Sequence, residues 1–279
     1  MAGGLNQPVC QNCRVIGNPM NGETPFSNKK TVLREPELQR LICNMEQATH
    51  SLILGPPGIG KSFLLREAAT RLNMSHSAKA WAVYVPDCSS RRDLLVSALA
   101  ALPAVTNYAK NKPLHPTSRV EGWLRVQDLR DRFWSEAQGN ALCLLLDHLP
   151  KLRHRMQRLL ELLEERFTLA CAVAGNCGEH DLYFWKFDTI ELAGLPQTVA
   201  LKWVEDELGF LGYGGQLCTA LAKEVVHQAG GNPSLISGTI DVIRSQPEKL
   251  DDPIRVARMF LDGLLKQPRN PPGPRLSRR

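Results

Sequence analysis

Apolar residues recur along this chain in two rhythms. Between residues 34 and 48 they fall at Leu38, Leu41, Ile42 and Met45, the three-and-four spacing of one helix face. SLIL (51–54) is then a short unbroken apolar run, the mark of a buried strand. A glycine-rich turn follows, and after it Phe63, Leu64, Ala68 and Leu72 return to helical spacing. AWAVYV (80–85), ALCLLL (141–146), TLACAVA (168–174) and TIEL (189–192) give four more strands. Helical segments over 89–102, 119–137 and 151–166 separate them. From Pro196 to Leu265 the pattern is helical throughout, roughly four helices broken at Gly212–Gly215, Gly230–Pro233 and Pro247–Pro253. Strands alternating with helices predict a parallel sheet covered on both faces. The closing helical stretch predicts a small second domain.

Composition narrows the class. Of 279 residues, 43% are hydrophobic and 22% charged, which excludes collagen, coiled coil and wholesale disorder. No apolar run approaches the roughly 20 residues that cross a bilayer, so no membrane role is expected. The start, MAGGLNQPVCQNCR, lacks a basic stretch followed by an apolar one, so no secretory signal is visible. Cys143 and Cys171 lie inside apolar runs and read as small buried hydrophobes, which suits a reducing cytoplasm. Cys10 and Cys13 form one CxxC, which leaves a metal pair as an alternative, but a structural zinc usually needs two more ligands and no second CxxC or HxxxH exists. Residues 1–30 therefore read as a leader. The net charge is +6, yet the last fourteen residues hold +5 and the first thirty +2, so the stretch 31–265 is net −1. A nucleic-acid role cannot rest on the body's overall charge and would need a local patch.

The chemistry concentrates in Gly55-Pro56-Pro57-Gly58-Ile59-Gly60-Lys61-Ser62, which fits GxxxxGK[ST] between a strand and a helix. A polyphosphate needs donors on several sides at short range. The glycines permit backbone conformations that turn successive N–H groups inward. The helix opening at Gly60, with Phe63 in its first turn, points its positive end at the anion. Lys61 would neutralise the β- and γ-phosphates, and Ser62 would hold Mg²⁺. Asp147, closing ALCLLL, suits the second metal ligand; it would otherwise serve as an N-cap for 151–166. The next residue is His148, where many ATPases carry an acid that polarises water. His148, Glu121, Glu136 or a partner's group would have to orient that water, or His148 is a capping or surface residue.

On these residues the chain resembles AAA+ and related STAND-type P-loop NTPases. REPELQRL before the first strand, GPPGIGKS, LLLDH and GGNPSLI (230–236) occur in the order of that group. The resemblance implies an α/β fold: a three-layer P-loop NTPase parallel sheet with a C-terminal all-helical lid domain. It implies a nucleotide-binding domain over 31–194 and a lid over 195–265; beyond them the composition of 266–279 reads as a basic, Pro-rich, disordered tail. It places Arg34 near the nucleotide base, Asn176 where a polar sensor meets the γ-phosphate or the attacking water, and Pro233 near the base; Asn176 otherwise reads as a turn former. Lys186 stands where clamp-loader relatives place an arginine finger. Ser234 stands where AAA+ lids often carry an arginine, while Gly231-Asn232-Pro233 fits the STAND version.

ATP with Mg²⁺ is thus the expected ligand, with slow hydrolysis, because several accelerating groups are altered. The expected role is a nucleotide-gated switch for a partner protein, with nucleotide-dependent self-assembly as a further expectation. Arg119, Arg125, Arg130 and Arg132, with Trp123 and Trp134, offer a docking helix or simply a solvated face. The alternative role is a DNA-associated helper ATPase of transposition or replication initiation. Its contacts would be Lys151, Arg153, Arg155, Arg158 and the tail, and its counter-reading a charged surface helix. A third is a module that binds nucleotide without hydrolysing it.

Overall fold

The computed structural model describes residues 34–75, 80–110, 125–139, 141–173, 182–212 and 215–245. Helix α1 (Glu35–Glu46) begins with Pro36 in its first turn, where proline's missing N–H costs nothing, and buries Leu38, Leu41 and Met45. Strand β1 (Ser51–Leu54) leads into α2 (Lys61–Met74), then β2 (Trp81–Val85), α3 (Arg91–Lys110) and α4 (Val126–Ala137). β3 (Leu142–Leu149), α5 (His154–Glu164) and β4 (Thr168–Val173) follow, and a 3₁₀ turn (Leu182–Lys186) precedes β5 (Asp188–Glu191). α6 (Gln197–Phe210), α7 (Gly215–Ala229) and α8 (Pro233–Ser245) complete the described chain.

The strands form one sheet in the order β2-β3-β4-β1-β5, all parallel, with β1 between β4 and β5. The predicted α/β architecture holds, and its mechanism is visible along β3. Leu142, Leu144 and Leu146 enter the core under α3, α4 and α5, while Cys143 and Leu145 enter the opposite core under α1 and α2. Alternation in a strand apolar at every position is what two covered faces require. A third cluster, with Trp203, Val204, Ala222, Val225, Ile236 and Ile240, lies within α6–α8. The helical unit therefore has a core of its own.

Several boundaries differ from expectation: Arg125, expected inside a helix, is extended and α4 begins at Val126, and α5 spans His154–Glu164 within the expected 151–166. The helix expected to stop at residue 102 runs through Pro103 to Lys110. Proline deletes one helical hydrogen bond but does not forbid continuation. β3 continues past Asp147 to Leu149, with a register break against β4 between Leu146 and Leu149. Within that break His148 adopts φ +53°. Among the described residues no helix is long and apolar enough to cross a membrane. The leader 1–30, with Cys10 and Cys13, and the tail 266–279 lie outside the described residues, as do Arg119, Glu121, Trp123, Asn176 and any helix after Ser245.

Candidate functional site

The loop between β1 and α2 is a chain of left-handed glycines: Gly55 at φ +148°, Gly58 at +76° and Gly60 at +106°. Gly60 is the N-cap of α2, which has no side-chain cap and no acid in its first turn. Its first N–H groups and positive end are therefore left for an anion. Lys61 Nζ donates to the carbonyls of Gly55 (2.6 Å) and Pro56 (3.0 Å). Burial lowers the pKa of this ammonium, and the nearby Asp147 carboxylate opposes the shift. Ser62 is half-buried in the first turn beside Lys61, and Phe63 follows it. Ile59 turns its side chain into the core under α1 and α2, so only its main chain is open to a ligand.

Asp147 is 2% exposed and held on both oxygens. The Tyr84 hydroxyl donates to Oδ2 at 2.8 Å, and the His148 N–H donates to Oδ1 at 2.8 Å. Burial, then the carboxylate, push the Tyr84 phenol well above its usual range, so it remains a donor. Asp147 does not cap the next helix, whose N-cap is Arg153. The His148 ring is mostly exposed, with Nδ1 3.2 Å from the Pro86 carbonyl and 3.3 Å from Asp147 Oδ2. It thus lies beside the carboxylate while also bridging to the loop after β2. Glu136 is engaged by Arg132 at 2.8 Å, one helical turn away.

The turn before α8 closes on the glycine loop. Asn232 Nδ2 donates to the Pro57 carbonyl at 3.0 Å, and the Ser234 N–H points at the Gly58 carbonyl at 3.2 Å. Asn232 Oδ1 meanwhile accepts the Ser234 N–H at 3.0 Å, capping α8. A Cβ on Gly58 would lie 2.7 Å from Ser234 Cβ, so this contact needs glycine there. Below it, the Leu195 N–H donates to the Gly231 carbonyl at 2.8 Å, tying the segment after β5 to the same turn. Arg34, 6% exposed, joins both sides: its guanidinium donates to the carbonyls of Ala193 (2.6 Å) and Ile59 (3.3 Å). Its buried Nε has no acceptor among the described residues.

These elements enclose a cavity of about 280 Å³ lined by Arg34, Phe63, Arg66, Trp203, Pro233 and Ser237, among others. Apolar walls with a few polar ends suit a flat heterocycle. The sequence places Arg34, Phe63 and Pro233 here, and the fold brings them together beside Gly58 and Gly60. Arg66, Trp203, Ser237 and Tyr84 were not anticipated. For Arg66 a signal existed: it stands one helical turn beyond Ser62. Trp203 and Tyr84 come from other elements and carried none. Lys186 is paired with Glu164 of its own chain and lies 5.6 Å from the Tyr183 ring centre. Trp134 packs edge-on to Phe133 and Phe167 rather than facing a partner. Lys151 and Arg153 precede α5, and Arg155 and Arg158 lie on it, all four exposed.

A sequence profile described as an AAA domain matches residues 44–179, from α1 past β4. No curated protein matches the sequence. Among solved structures, Cdc6p from Pyrobaculum aerophilum aligns with a TM-score of 0.51 at 13% identity, over 79% of this chain and 63% of that one. The ORC2 protein of Aeropyrum pernix, solved as ADPNP–ADP complexes, aligns with a TM-score of 0.51 at 11% identity, over 88% of this chain and 70% of that one. At these identities the structural likeness speaks for the fold. Profile, glycine loop and sheet order agree on the fold of a P-loop NTPase, and residues 44–179 are similar to the AAA domain family.

Proposed function

We propose that the chain binds ATP with Mg²⁺ and works as a slow ATPase switch for a partner protein or assembly. Residues 31–194 would form the nucleotide-binding domain and 195–265 the lid, between the leader 1–30 and the tail 266–279. One observation carries this reading: the carbonyls of the glycine loop are the acceptors that hold the helical unit. Pro57 and Gly58 receive Asn232 and Ser234, while Gly55 and Pro56 receive Lys61. A triphosphate seated in this loop would draw Lys61 off those carbonyls and change the backbone on which the lid rests. Differential contact of this kind is what makes a ligand shift an equilibrium. The unpartnered Nε of Arg34 beside the cavity supports a polar ligand there.

Mg²⁺ would be held by the Ser62 hydroxyl and Asp147, with phosphate oxygens and water completing its shell. It would neutralise charge on the phosphates. Among the described residues no cluster of three or more His, Cys, Asp or Glu could hold a metal alone, which suits a cation shared with its substrate. Tyr84 keeps the Asp147 carboxylate oriented. His148 supports water orientation at the same corner, without the acid that faster relatives use. Slow turnover follows, and a rate above roughly 10 s⁻¹ for the isolated chain would overturn the switch reading. The Gly231-Asn232-Pro233 turn favours the STAND type of lid.

Calorimetry with Mg-ATP tests the binding claim. Saturable heat is expected, weakened roughly 10- to 100-fold by Lys61→Ala, which removes a charged donor; no heat from the folded wild type would sink it. Phosphate release abolished in Asp147→Asn, with binding kept, supports hydrolysis. Binding without release leaves a nucleotide-holding module. A second reading, a DNA-associated helper ATPase, is favoured by the cluster of arginines around α5.

A further inference from the structure

The body of the chain is close to neutral, yet its cations are not evenly spread. Between α4 and α5, with the start of α3 at one end, runs a groove of about 660 Å³ whose basic lining is Arg91, Arg130, His154, Arg155 and Arg158. No Asp or Glu is among its lining residues. Among the described residues, no carboxylate is paired with Arg91, Arg155 or Arg158. Arg130 is held at 2.8 Å by Asp131, a mostly exposed neighbour. His154, Arg155 and Arg158 belong to the first turns of α5, which has no side-chain cap and no acid in its first turn. Its positive end therefore adds to the side-chain charge instead of being cancelled.

We propose that this groove binds the phosphate backbone of duplex nucleic acid without reading its sequence. Several guanidiniums converge on one concavity, and each offers the forked donor pair that fits a phosphate. A protein partner would need large aromatic or apolar anchors, and the groove offers only Val126, Leu159 and Leu162 beneath its cations, with no Phe, Tyr or Trp. The same lack disfavours single strands, which bind by stacking splayed bases on aromatic rings. An acidic peptide is the competing occupant and becomes an outcome of the test. Arg91 follows the loop after β2 and α5 follows the loop after β3, and the His148 ring, near the end of β3, meets the Pro86 carbonyl in the first of those loops. The proposal deepens the DNA-associated reading, and it is separable from ATP binding, which calorimetry measures without nucleic acid.

Anisotropy of the full chain with a labelled random duplex of roughly 20 base pairs tests it, with salt as the variable. About four phosphate contacts predict a log–log salt slope near −3.6, or about a 100-fold loss of affinity from 50 to 200 mM salt. The double variant R155A/R158A should lower that slope by about 2 and weaken binding at least about tenfold at low salt. Arg130→Glu on the opposite wall should weaken binding similarly, which keeps the proposal open to failure if the double variant folds poorly. Lys202→Ala, an exposed cation on α6, should leave binding unchanged. No saturable binding at low salt would overturn the proposal. So would R155A/R158A and Arg130→Glu both binding like the wild type, which would assign the affinity to residues 266–279 or elsewhere. Polyglutamate displacing the duplex at lower charge concentration would instead identify an acidic peptide as the occupant.

Discussion

At the edge formed by the strands' C-terminal ends, Asp147 is held by the Tyr84 hydroxyl, but the donors that fix the glycine loop and the lid turn land on main-chain carbonyls: Lys61 on Gly55 and Pro56, Asn232 on Pro57, and Arg34 on Ile59 and Ala193. At the opposite edge, formed by the strands' N-terminal ends, most contacts join side chain to side chain. Arg40 forks onto Asp188, which also accepts Asn44. Glu164 accepts the Tyr183 hydroxyl and Lys186, and His50 stacks on Phe187 while its Nδ1 accepts the Leu169 N–H. Carbonyls have spare acceptor capacity and their donors can transfer to an incoming anion. Pairs of opposite charge already satisfy each other. One edge is thus built for exchange and the other for permanence, although the same strands supply both.

The sharpest test of the exchanging edge is Gly231→Ala. Gly231 sits at φ +73°, and a Cβ there would lie 2.6 Å from the Leu195 carbonyl oxygen. Strain plus collision should cost about 2–4 kcal/mol in urea unfolding of the helical unit and weaken ATP binding with it. Gly60→Ala, at φ +106° but with nothing within 4 Å of the new atom, should lose only about 1–2 kcal/mol of backbone strain. Asn232→Ala comes next: it removes the α8 cap and the donor to Pro57, about 1–2 kcal/mol by the same unfolding assay. Asn232→Asp keeps the cap and loses the donor, so it isolates the clamp.

Tyr183→Phe belongs to the permanent edge and should cost about 1 kcal/mol, with nucleotide affinity unchanged. A change in affinity would break the contrast between the edges. The smallest expected effect is a pH dependence from His50. Burial lowers its pKa from 6.5, with Glu164 opposing, so the folded protein resists a proton that the unfolded chain accepts. Stability from this group is complete above pH 6.5 and fades as pH falls through that value. His50→Gln should flatten the fall in melting temperature between pH 6.5 and 5.5.

Much of the exchanging edge was legible from sequence, because a phosphate loop is local: its glycines, lysine and serine are consecutive, and the strand and helix around it announce themselves by periodicity. Asp147 was legible too, as the first polar residue after an apolar run. What was hidden depends on facing elements. Periodicity tells which side of a helix is buried but not what stands opposite, so Tyr84 on Asp147, and Trp203 lining one cavity with Phe63, appear only in three dimensions. The Asn232 clamp was half visible: its turn was evident, its acceptor 175 positions away was not. The end of β3 was misplaced because an aspartate reads as a strand terminator, whereas here the strand steps out of register and continues.

That step has a bearing on which chemistry this corner can evolve. At φ +53° the backbone at position 148 is in a conformation that asparagine, aspartate and histidine tolerate better than glutamate. A glutamate after Asp147, the usual water-polarising neighbour, would meet a conformational toll of roughly 1 kcal/mol before it could act. The main chain here favours histidine, asparagine or aspartate over glutamate, and a descendant using glutamate would first have to straighten its strand.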